Sequence, residues 1–343
     1  PFSRGYICPK AVALQDILLD PDRLRHPRRR MRDGTWKRLT WDEALDEVGD
    51  RLCAIQKASG NDAVGLYAGN PSVHNWGSLL FGPSLSRTLR SRNLFSATSV
   101  DQLPHHVAAT LMFGHRLLLP IPDVDRTRYL LIVGANPVVS NGSMMTAQGF
   151  KRRLEKQKER GGRLVVVDPR RTETAEIADR HLFIRPGSDA LLLMALLQVI
   201  FSQDLEKPGS TSEFCDSIEV VRELVADVTP EMVSPATGID PGAIRDLARA
   251  FATADSAVCY GRLGVSTQAF GGLCQWLVNV LNTVTGNLDQ AGGAMFTRPA
   301  VDLVANTGPG RLGKYASRVR GLPAYGGELP VAVLAEEILT GGE

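Results

Sequence analysis

The stretch "RYLLIVGANP" at residues 128–137 decides the fold class that this sequence predicts. Its apolar run stops abruptly at Gly-Ala-Asn-Pro, and a short apolar run bounded by turn residues is typical of a strand buried on both faces. The pattern recurs in "GGRLVVVDPRR" at 161–171 and in "HLFIRPGSD" at 181–189. Because helical stretches separate these strands, the sequence predicts an α/β fold with doubly wound, mostly parallel sheets.

The alternation of strands and helices continues on both sides of this region. "AVGLYAGNP" at 63–71 and "SAVCYGRLG" at 256–264 predict two more strands, and "ALLLMALLQVIF" at 190–201 predicts a long apolar helix. We expect a loop over "TPEMVSPATGIDPGAI" at 229–244. Beyond residue 297 the chain is rich in Gly and Pro, which predicts a long surface loop.

The beginning of the chain predicts a hairpin followed by a helix. The pair Asp33–Gly34 is a hairpin-turn signal between two short strands. Thr40 and Glu43 have the spacing of a capping box, and apolar residues follow on one helical face. This small segment is expected to stand beside two intertwined α/β domains.

The predicted division of the chain therefore has three parts. They are a hairpin-plus-helix segment over 1–59, a discontinuous α/β domain over 60–115 and 269–343, and an inserted dinucleotide-binding α/β domain over 116–268.

Composition excludes several classes of protein. The 343 residues are 43% hydrophobic and 22% charged with a net charge of +2, which argues against a dedicated nucleic-acid binder. No stretch approaches the roughly 20 apolar residues that span a bilayer. The five cysteines form no CxxC pair and no disulfide scaffold. We therefore expect a reducing compartment, the cytoplasm, although a lost export signal would place the protein in the periplasm.

Polar and glycine residues follow the predicted strands, at the edge where open α/β sheets bind ligands. Gly134 allows a ligand to approach the backbone, and Asn136 offers an amide. Asp168 is placed to accept ribose hydroxyls, while Arg170 and Arg185 bring charge for a pyrophosphate. The segment "GANPVV" lacks the GxGxxG glycines of ordinary NAD binding, so a plain NAD dehydrogenase is disfavoured.

The carboxylate of Asp189 has two interpretations. It follows Gly187 at a predicted helix start, where it could accept two donors from a guanine edge. Alternatively it only caps its helix.

Taken together and in order, seven segments resemble the molybdopterin-guanine-dinucleotide oxidoreductases, the superfamily of formate dehydrogenase, periplasmic nitrate reductase and dimethyl sulfoxide reductase. The resemblance spans essentially the whole chain and corresponds to the N-terminal and central part of such enzymes. The matching segments are "GYICPK", "WKRLTWDEAL", "GNPSVHN", "LIVGANPVVS", "VVVDPRRTETAEIAD", "IRPGSDALLLMAL" and "TGNLDQAGG".

The resemblance implies two molybdopterin guanine dinucleotides around one molybdenum or tungsten atom, one of them bound by this chain. Gly264 and Gln268 are similar to a pterin-side contact. The residues that would hold the dinucleotide itself are Gly134, Asn136, Asp168, Arg170, Arg185, Gly187 and Asp189. A domain for the second dinucleotide is expected after the last residue of this chain.

The resemblance also implies a [4Fe–4S] cluster near the start of the chain. Cys8 is similar to the fourth cluster ligand, and Lys10 resembles the lysine between cluster and pterin. The other three cysteines are expected before Pro1, so this chain is expected to be an inactive fragment on its own. The alternative for Cys8 is a small buried thiol.

A protein ligand to the metal is the least defined part of the site. The polar candidates are Asp101, His105 and His106. Adjacent histidines point in different directions on a helix, so both cannot face one metal. Another interpretation has Pro104 opening a helix and one histidine lining a substrate funnel. Ligation by an oxo or sulfido group is also open.

The functional hypothesis is an enzyme that moves two electrons between a small substrate, such as an oxyanion, and an iron–sulfur relay to a partner protein. A second hypothesis is a respiratory-complex subunit of the same fold that has lost the metal cofactor and serves as a scaffold.

Overall fold

A computed structural model describes residues 5–7 and 9–341 of the chain, so Cys8 lies outside the described residues. The strands of these residues are β1 (Arg28–Arg30), β2 (Trp36–Arg38), β3 (Leu66–Ala68), β4 (Leu94–Ser96), β5 (Ile121–Pro122), β6 (Tyr129–Val133), β7 (Arg163–Val167), β8 (Arg180–Leu182), β9 (Ala257–Gly261), β10 (Ala294–Met295), β11 (Leu312–Ala316) and β12 (Pro323–Tyr325).

The helices lie between these strands. They are α1 (Pro9–Val12), α2 (Leu14–Leu19), α3 (Trp41–Ser59), α4 (Trp76–Leu89), α5 (Leu103–Phe113), α6 (Phe150–Glu159), α7 (Glu173–Glu176), α8 (Asp189–Ser202), α9 (Ile218–Val225), α10 (Pro230–Thr237), α11 (Pro241–Thr253), α12 (Leu263–Ser266), α13 (Gly271–Val284), α14 (Leu303–Asn306) and α15 (Leu334–Leu339). Short 3-10 turns occupy Asn61–Ala63, Asn70–His74, Ala97–Val100, Ser143–Met145, Ser212–Phe214 and Val331–Val333.

The chain forms two compact units. The first contains the described residues of Pro1–Tyr6 and Val100–Gly310, and the second contains those of Ile7–Ser99 and Arg311–Glu343. These units group the residues differently from the three predicted parts, and the boundaries of those parts stay a prediction.

The first unit is built on a four-stranded parallel sheet with the order β8-β7-β6-β9. The chain adds strands on one side of β6 as far as β8 and then returns to pair β9 on the other side of β6. The order therefore reverses between β6 and β9, and a doubly wound sheet forms its ligand crevice at such a reversal, beyond the carboxyl ends of the strands. The predicted α/β class with parallel strands is confirmed.

Helices cover both faces of this sheet, which explains its uniformly apolar strands. Alternate side chains of β6 enter two different cores, because successive residues of a strand point to opposite faces. Leu131 packs with α8, α10, α11 and α13, whereas Leu130 and Ile132 pack with α6 and α7. All three side chains have no solvent exposure. Burial at about 25 cal/mol per Å² makes these two layers the main source of the unit's stability.

The second unit contains the predicted hairpin and capped helix. β1 and β2 pair antiparallel around Asp33–Gly34, and the Gly34 backbone has φ +85°, which suits glycine. The side chain of Thr40 accepts from the backbone N–H of Glu43, and the carboxylate of Glu43 accepts from the backbone of Thr40. Both local predictions are confirmed. A two-stranded parallel sheet, β3–β4, and a small core around Phe95 complete this unit.

Two predicted loops contain regular structure. Residues 229–244 include α10, which Thr229 caps by accepting from the N–H of Met232, with Pro230 at its first position. Proline is favourable there because that N–H has no intrahelical partner. Beyond residue 297 the chain forms the antiparallel pair β11–β12. The two loop predictions were wrong because they gave the Pro and Gly content more weight than the capping and alternation signals, and those signals decide the structure here.

Among the described residues, no helix has the length and apolar character needed to cross a membrane.

The glycine at residue 134 gives a prediction about stability. A Cβ at Gly134 would lie 2.8 Å from the backbone nitrogen of Val265, whereas a Cβ at Gly187 would meet nothing within 4 Å. Both backbones have positive φ. Gly187→Ala should therefore cost about 1 kcal/mol for the left-handed conformation alone, and Gly134→Ala at least about 2 kcal/mol more for the clash. Urea unfolding of the two variants measures the difference, and equal losses would contradict the close packing.

Candidate functional site

The crevice at the strand-order reversal is formed by two glycines in direct backbone contact. The N–H of Gly264 donates to the carbonyl of Gly134 over 2.9 Å. A Cβ on Gly264 would lie 2.8 Å from the Cα of Gly134. The loops that follow β6 and β9 are thus held together without an intervening side chain, which leaves backbone groups at the crevice floor.

The carboxylate of Asp189 lies buried at this edge, next to Gln268. Asp189 is the first residue of α8 and has 5% exposure. Its Oδ2 accepts from Nε2 of Gln268 over 2.9 Å, and that Nε2 also faces the carbonyl of Gly264 at 3.2 Å. Burial raises the pKa of Asp189, the Gln268 hydrogen bond acts against this, and the nearby charge of Asp168 adds to it. Two of the predicted site carboxylates are therefore close to each other.

One polar atom at this point has no protein partner. Oε1 of Gln268 is buried and has no hydrogen-bond partner among the described residues. Such an atom costs free energy unless a ligand or water supplies a donor. Ser188, and not Asp189, holds the N-cap position of α8, and Ser188 makes no side-chain capping hydrogen bond. The carboxylate of Asp189 accepts a hydrogen bond from Gln268.

Asn136, after β6, is held by α7. Its Oδ1 accepts from the hydroxyl of Thr174 over 2.7 Å and from the Thr174 N–H over 3.2 Å. Its Nδ2 donates to Glu173 over 2.6 Å. Arg170 reaches the same carboxylate at 3.4 Å. The amide of Asn136 therefore joins the β6 loop to α7 and is not available to a ligand in this conformation.

Asp168 stands at the end of β7 with one carboxylate oxygen engaged. Oδ1 accepts from the backbone N–H of Arg170 over 2.8 Å, and the backbone carbonyl of Asp168 pairs with Nε2 of His181 at 3.0 Å. Burial raises the pKa of Asp168, while the Arg170 N–H, the Arg170 charge and His181 oppose the rise. The His181 ring in turn contacts the exposed ring of Phe183, with centroids 4.3 Å apart.

The structure places Arg185 and Gly187 differently from the other predicted residues. The guanidinium of Arg185 donates to the carbonyl of Pro235 in α10 over 2.5 Å, so it binds a helix end. Gly187 is exposed, and its φ of +83° explains the glycine. The contacts of the described residues bring together Gly134, Gly264, Asp189, Gln268 and Asp168, whereas Asn136 and Arg170 contact residues of α7.

His105 packs under the end of β9. Pro104 lies in the first turn of α5, as the sequence predicts. Nε2 of His105 faces the carbonyl of Gly261 at 3.1 Å, and Nδ1 faces the hydroxyl of Ser266 at 3.4 Å. Burial, followed by the charge of Arg262, lowers the pKa of His105 to about 4. The imidazole is therefore neutral at pH 7 and joins α5 to the β9 loop.

The remaining metal-ligand candidates point to other partners. His106 lies one residue on, and its Nδ1 faces the carbonyl of Arg116 at 2.7 Å, away from the contacts of His105. Asp101 pairs with Arg262 at 3.2 Å, and Nε of Arg262 donates to Ser143 over 2.9 Å. Within residues 5–7 and 9–341, no three metal-binding side chains converge. A protein ligand to a metal stays a prediction.

The predicted cluster residues belong to the start of the chain. Lys10 is exposed on the short helix α1 of the second unit. Cys8 falls outside the described residues, so both roles stay predictions.

Four residues that hold the site were not singled out from the sequence. They are Glu173, Thr174, His181 and Arg262. A capping signal at Thr172, whose side chain accepts from the N–H of Ala175, marks the start of α7 and so pointed to the first two. Alternation that continues from β8 to the next residue could have indicated His181, since its ring contacts that of Phe183 two residues on.

Comparison with known proteins assigns a family to this architecture. A family model described as "Molybdopterin oxidoreductase" matches residues 23–326. The match includes parts of both units and every predicted strand-end residue.

Individual relatives are longer than this chain. Formate dehydrogenase H of Escherichia coli is 29% identical over 293 residues, which cover 83% of this chain and 40% of the relative. The assimilatory nitrate reductase catalytic subunit of Bacillus subtilis is 26% identical, over 79% of this chain and 37% of the relative. Acetylene hydratase from Pelobacter acetylenicus superposes with a TM-score of 0.69 at 26% identity, covering 83% of this chain and 38% of that chain. The chain thus spans about two fifths of the length of these relatives.

The buried imidazole of His105 predicts a pH-dependent stability. Its folded pKa of about 4 lies below the ordinary value of 6.5, so the unfolded chain binds the proton more readily. The contribution of the neutral imidazole to the free energy of unfolding is fully present above pH 6.5. It is lost as the pH falls toward 4, by on the order of 3 kcal/mol in total. Urea unfolding at a series of pH values measures this loss.

The control compares two histidine variants. His105→Gln, which keeps a donor for Gly261, should flatten the pH dependence, while His26→Gln at an exposed position should leave it unchanged. An unchanged slope in His105→Gln would overturn the assignment.

Proposed function

Because this chain belongs to the molybdopterin oxidoreductase family, we propose that it binds a pterin guanine dinucleotide at the carboxyl edge of its four-stranded sheet. The whole protein would carry two such dinucleotides with molybdenum or tungsten and a [4Fe–4S] cluster. It would oxidise or reduce a small substrate by two electrons.

The observation that carries this proposal is the buried pair of Asp189 and Gln268. A guanine edge presents N–H donors from the ring and from the exocyclic amine. The Asp189 carboxylate is a buried acceptor with a raised pKa, and Oε1 of Gln268 is a buried acceptor without a partner among the described residues. A buried carboxylate beside a buried amide oxygen without a partner among the described residues, at the site where doubly wound folds bind nucleotides, fits such an edge.

The neighbouring residues fit the rest of a nucleotide. Asp168 keeps one carboxylate oxygen beyond its bond to the Arg170 N–H, which suits a ribose hydroxyl. Arg170 is exposed and supplies positive charge for a pyrophosphate. Backbone groups near Gly134 and Gly264 allow close approach. The side chain of Asn136 is bonded to α7 and that of Arg185 to α10. We therefore propose that the residues in direct contact with the dinucleotide are Gly134, Gly264, Asp168, Arg170, Asp189 and Gln268.

When bound, the metal and its pterins would supply the two-electron chemistry, and this chain would supply placement and electrostatics. His105 would hold α5 against the β9 loop as a neutral group. Arg262, paired with Asp101, would bring one cation near that loop. We infer a small-molecule or oxyanion substrate from the similarity to a nitrate reductase.

The electron path belongs to the same proposal. We infer that Cys8 binds the cluster and that exposed Lys10 lies between cluster and pterin, with an electron-transfer protein or subunit as partner. A cytoplasmic location is supported by the cysteines of the described residues, which are all free thiols: Cys53, Cys215, Cys259 and Cys274.

Metal and pterin analysis of the anaerobically purified product of the whole gene tests this function. We expect molybdenum or tungsten, fluorescent oxidised pterin, GMP after acid hydrolysis, and about four iron atoms per chain. Iron without molybdenum, tungsten or pterin would contradict the enzyme and favour the scaffold subunit.

A pair of variants tests the dinucleotide site directly. Asp189→Asn removes the charged acceptor, so the GMP released per chain should fall about tenfold or more. Arg185→Gln changes a group directed at α10 and should keep the normal GMP content. Equal GMP contents in the two variants would contradict the assignment of the guanine site to Asp189.

A further inference from the structure

The opposite edge of the same sheet carries a separate groove. It has a volume of about 670 Å³ and lies at the amino ends of β6, β7 and β8. Strands of five residues rise about 16 Å, so the groove is remote from the carboxyl edge where the dinucleotide is proposed. Nothing in the site described above uses it.

Strand register brings the groove's key side chains onto one face. Tyr129 pairs with Arg163, and Val165 pairs with Arg180, in parallel register. Residues in register, and residues two apart along a strand, share a face of the sheet. The side chains of Tyr129, Arg163 and Arg180 therefore line the groove together.

Both arginines lack a protein counter-ion. Arg163 and Arg180 are exposed and make no ion pair or side-chain hydrogen bond within the described part of the chain. By contrast, Lys158 on the groove wall is paired with Asp179 at 3.0 Å. Two guanidiniums on one face, neither paired with a carboxylate of the described residues, form an arrangement that attracts an oxyanion.

The floor of the groove supplies a second observation. Tyr129 has only 5% exposure, and its ring packs edge-on against Phe251 with centroids 6.0 Å apart. Its hydroxyl has no hydrogen-bond partner among the described residues, yet the residue lines the groove. Burial raises the pKa of Tyr129 to about 12, and the charges of Arg180 and Arg163 act against the rise.

A carboxylate contributed by a helix restricts the ligand further. Asp246 lines the groove from α11. A bare anion gains nothing from it, whereas a ligand with hydroxyl donors at its far end does. A small phosphorylated molecule with free hydroxyls has both features.

We propose that this groove binds a small phosphate ester, with the phosphate oxygens on Arg163, Arg180 and the Tyr129 hydroxyl, and the ligand's hydroxyls toward Asp246. The site is independent of the proposed function, because it uses none of the dinucleotide residues.

Binding of ribose 5-phosphate and inorganic phosphate to the full chain tests the site. Titration calorimetry in chloride buffer of constant ionic strength separates specific binding from screening. Arg163→Gln with Arg180→Gln should weaken both ligands about tenfold or more, and Tyr129→Phe, which keeps the ring on Phe251, should weaken both severalfold. Asp246→Asn should weaken ribose 5-phosphate and leave inorganic phosphate equal or tighter.

The matched control is Arg152→Gln, an exposed arginine of α6 that does not line the groove. It should bind both ligands as the unaltered chain does. The midpoint of urea unfolding, measured in the same chloride buffer without ligand, checks that each variant is folded. No measurable binding to the unaltered chain would overturn the site. Equal affinity in the double arginine variant, or an equal loss in Arg152→Gln, would do the same.

Discussion

The backbones of Gly134 and Gly264 touch at the point where the strand order of the four-stranded sheet reverses. A hydrogen bond of 2.9 Å joins them, and a Cβ on either residue would collide with the other's loop. This contact holds the loops that follow β6 and β9 together at the reversal. Asp189 and Gln268 reach each other across the same point, because Gln268 also bonds the carbonyl of Gly264. The candidate site depends on this contact between glycines.

Electrostatics distinguishes the two edges of the sheet. The carboxyl edge holds two carboxylates, Asp168 and Asp189, whose pKa values are raised by burial, and the charge of Asp168 adds to the rise at Asp189. Buried carboxylates that repel each other gain from donors, which a guanine edge and ribose hydroxyls provide. The amino edge instead holds Arg163 and Arg180 around a buried phenol. One sheet thus offers acceptors at one end and cationic donors at the other.

Several residues combine a chemical type that suits a ligand with a contact that serves the fold. Asn136 could have offered its amide to a phosphate, and Arg185 could have bound a pyrophosphate. In the structure, the amide of Asn136 is hydrogen-bonded to Thr174 and Glu173, and the guanidinium of Arg185 donates to the carbonyl of Pro235. Two adjacent histidines bond separate carbonyls, those of Gly261 and Arg116. These contacts position α7, α10 and α5 around the crevice, so they act on the site through its walls.

The sequence by itself determined the parallel strands, the hairpin at Asp33–Gly34, the capped helix after Thr40 and the set of polar residues at the strand ends. Each of these depends on local periodicity or on turn and cap chemistry within a few residues. Signals of the same kind are present at α10 and β11–β12, but the Pro and Gly content of both segments led to the prediction of loops. Only the tertiary structure decided which partner each polar side chain takes. Asn136 and Thr174 are 38 residues apart, Arg185 and Pro235 are 50 apart, and Asp189 and Gln268 are 79 apart. Hydrogen bonds over such separations depend on how the strands are ordered and packed, and a local pattern carries no information about that order.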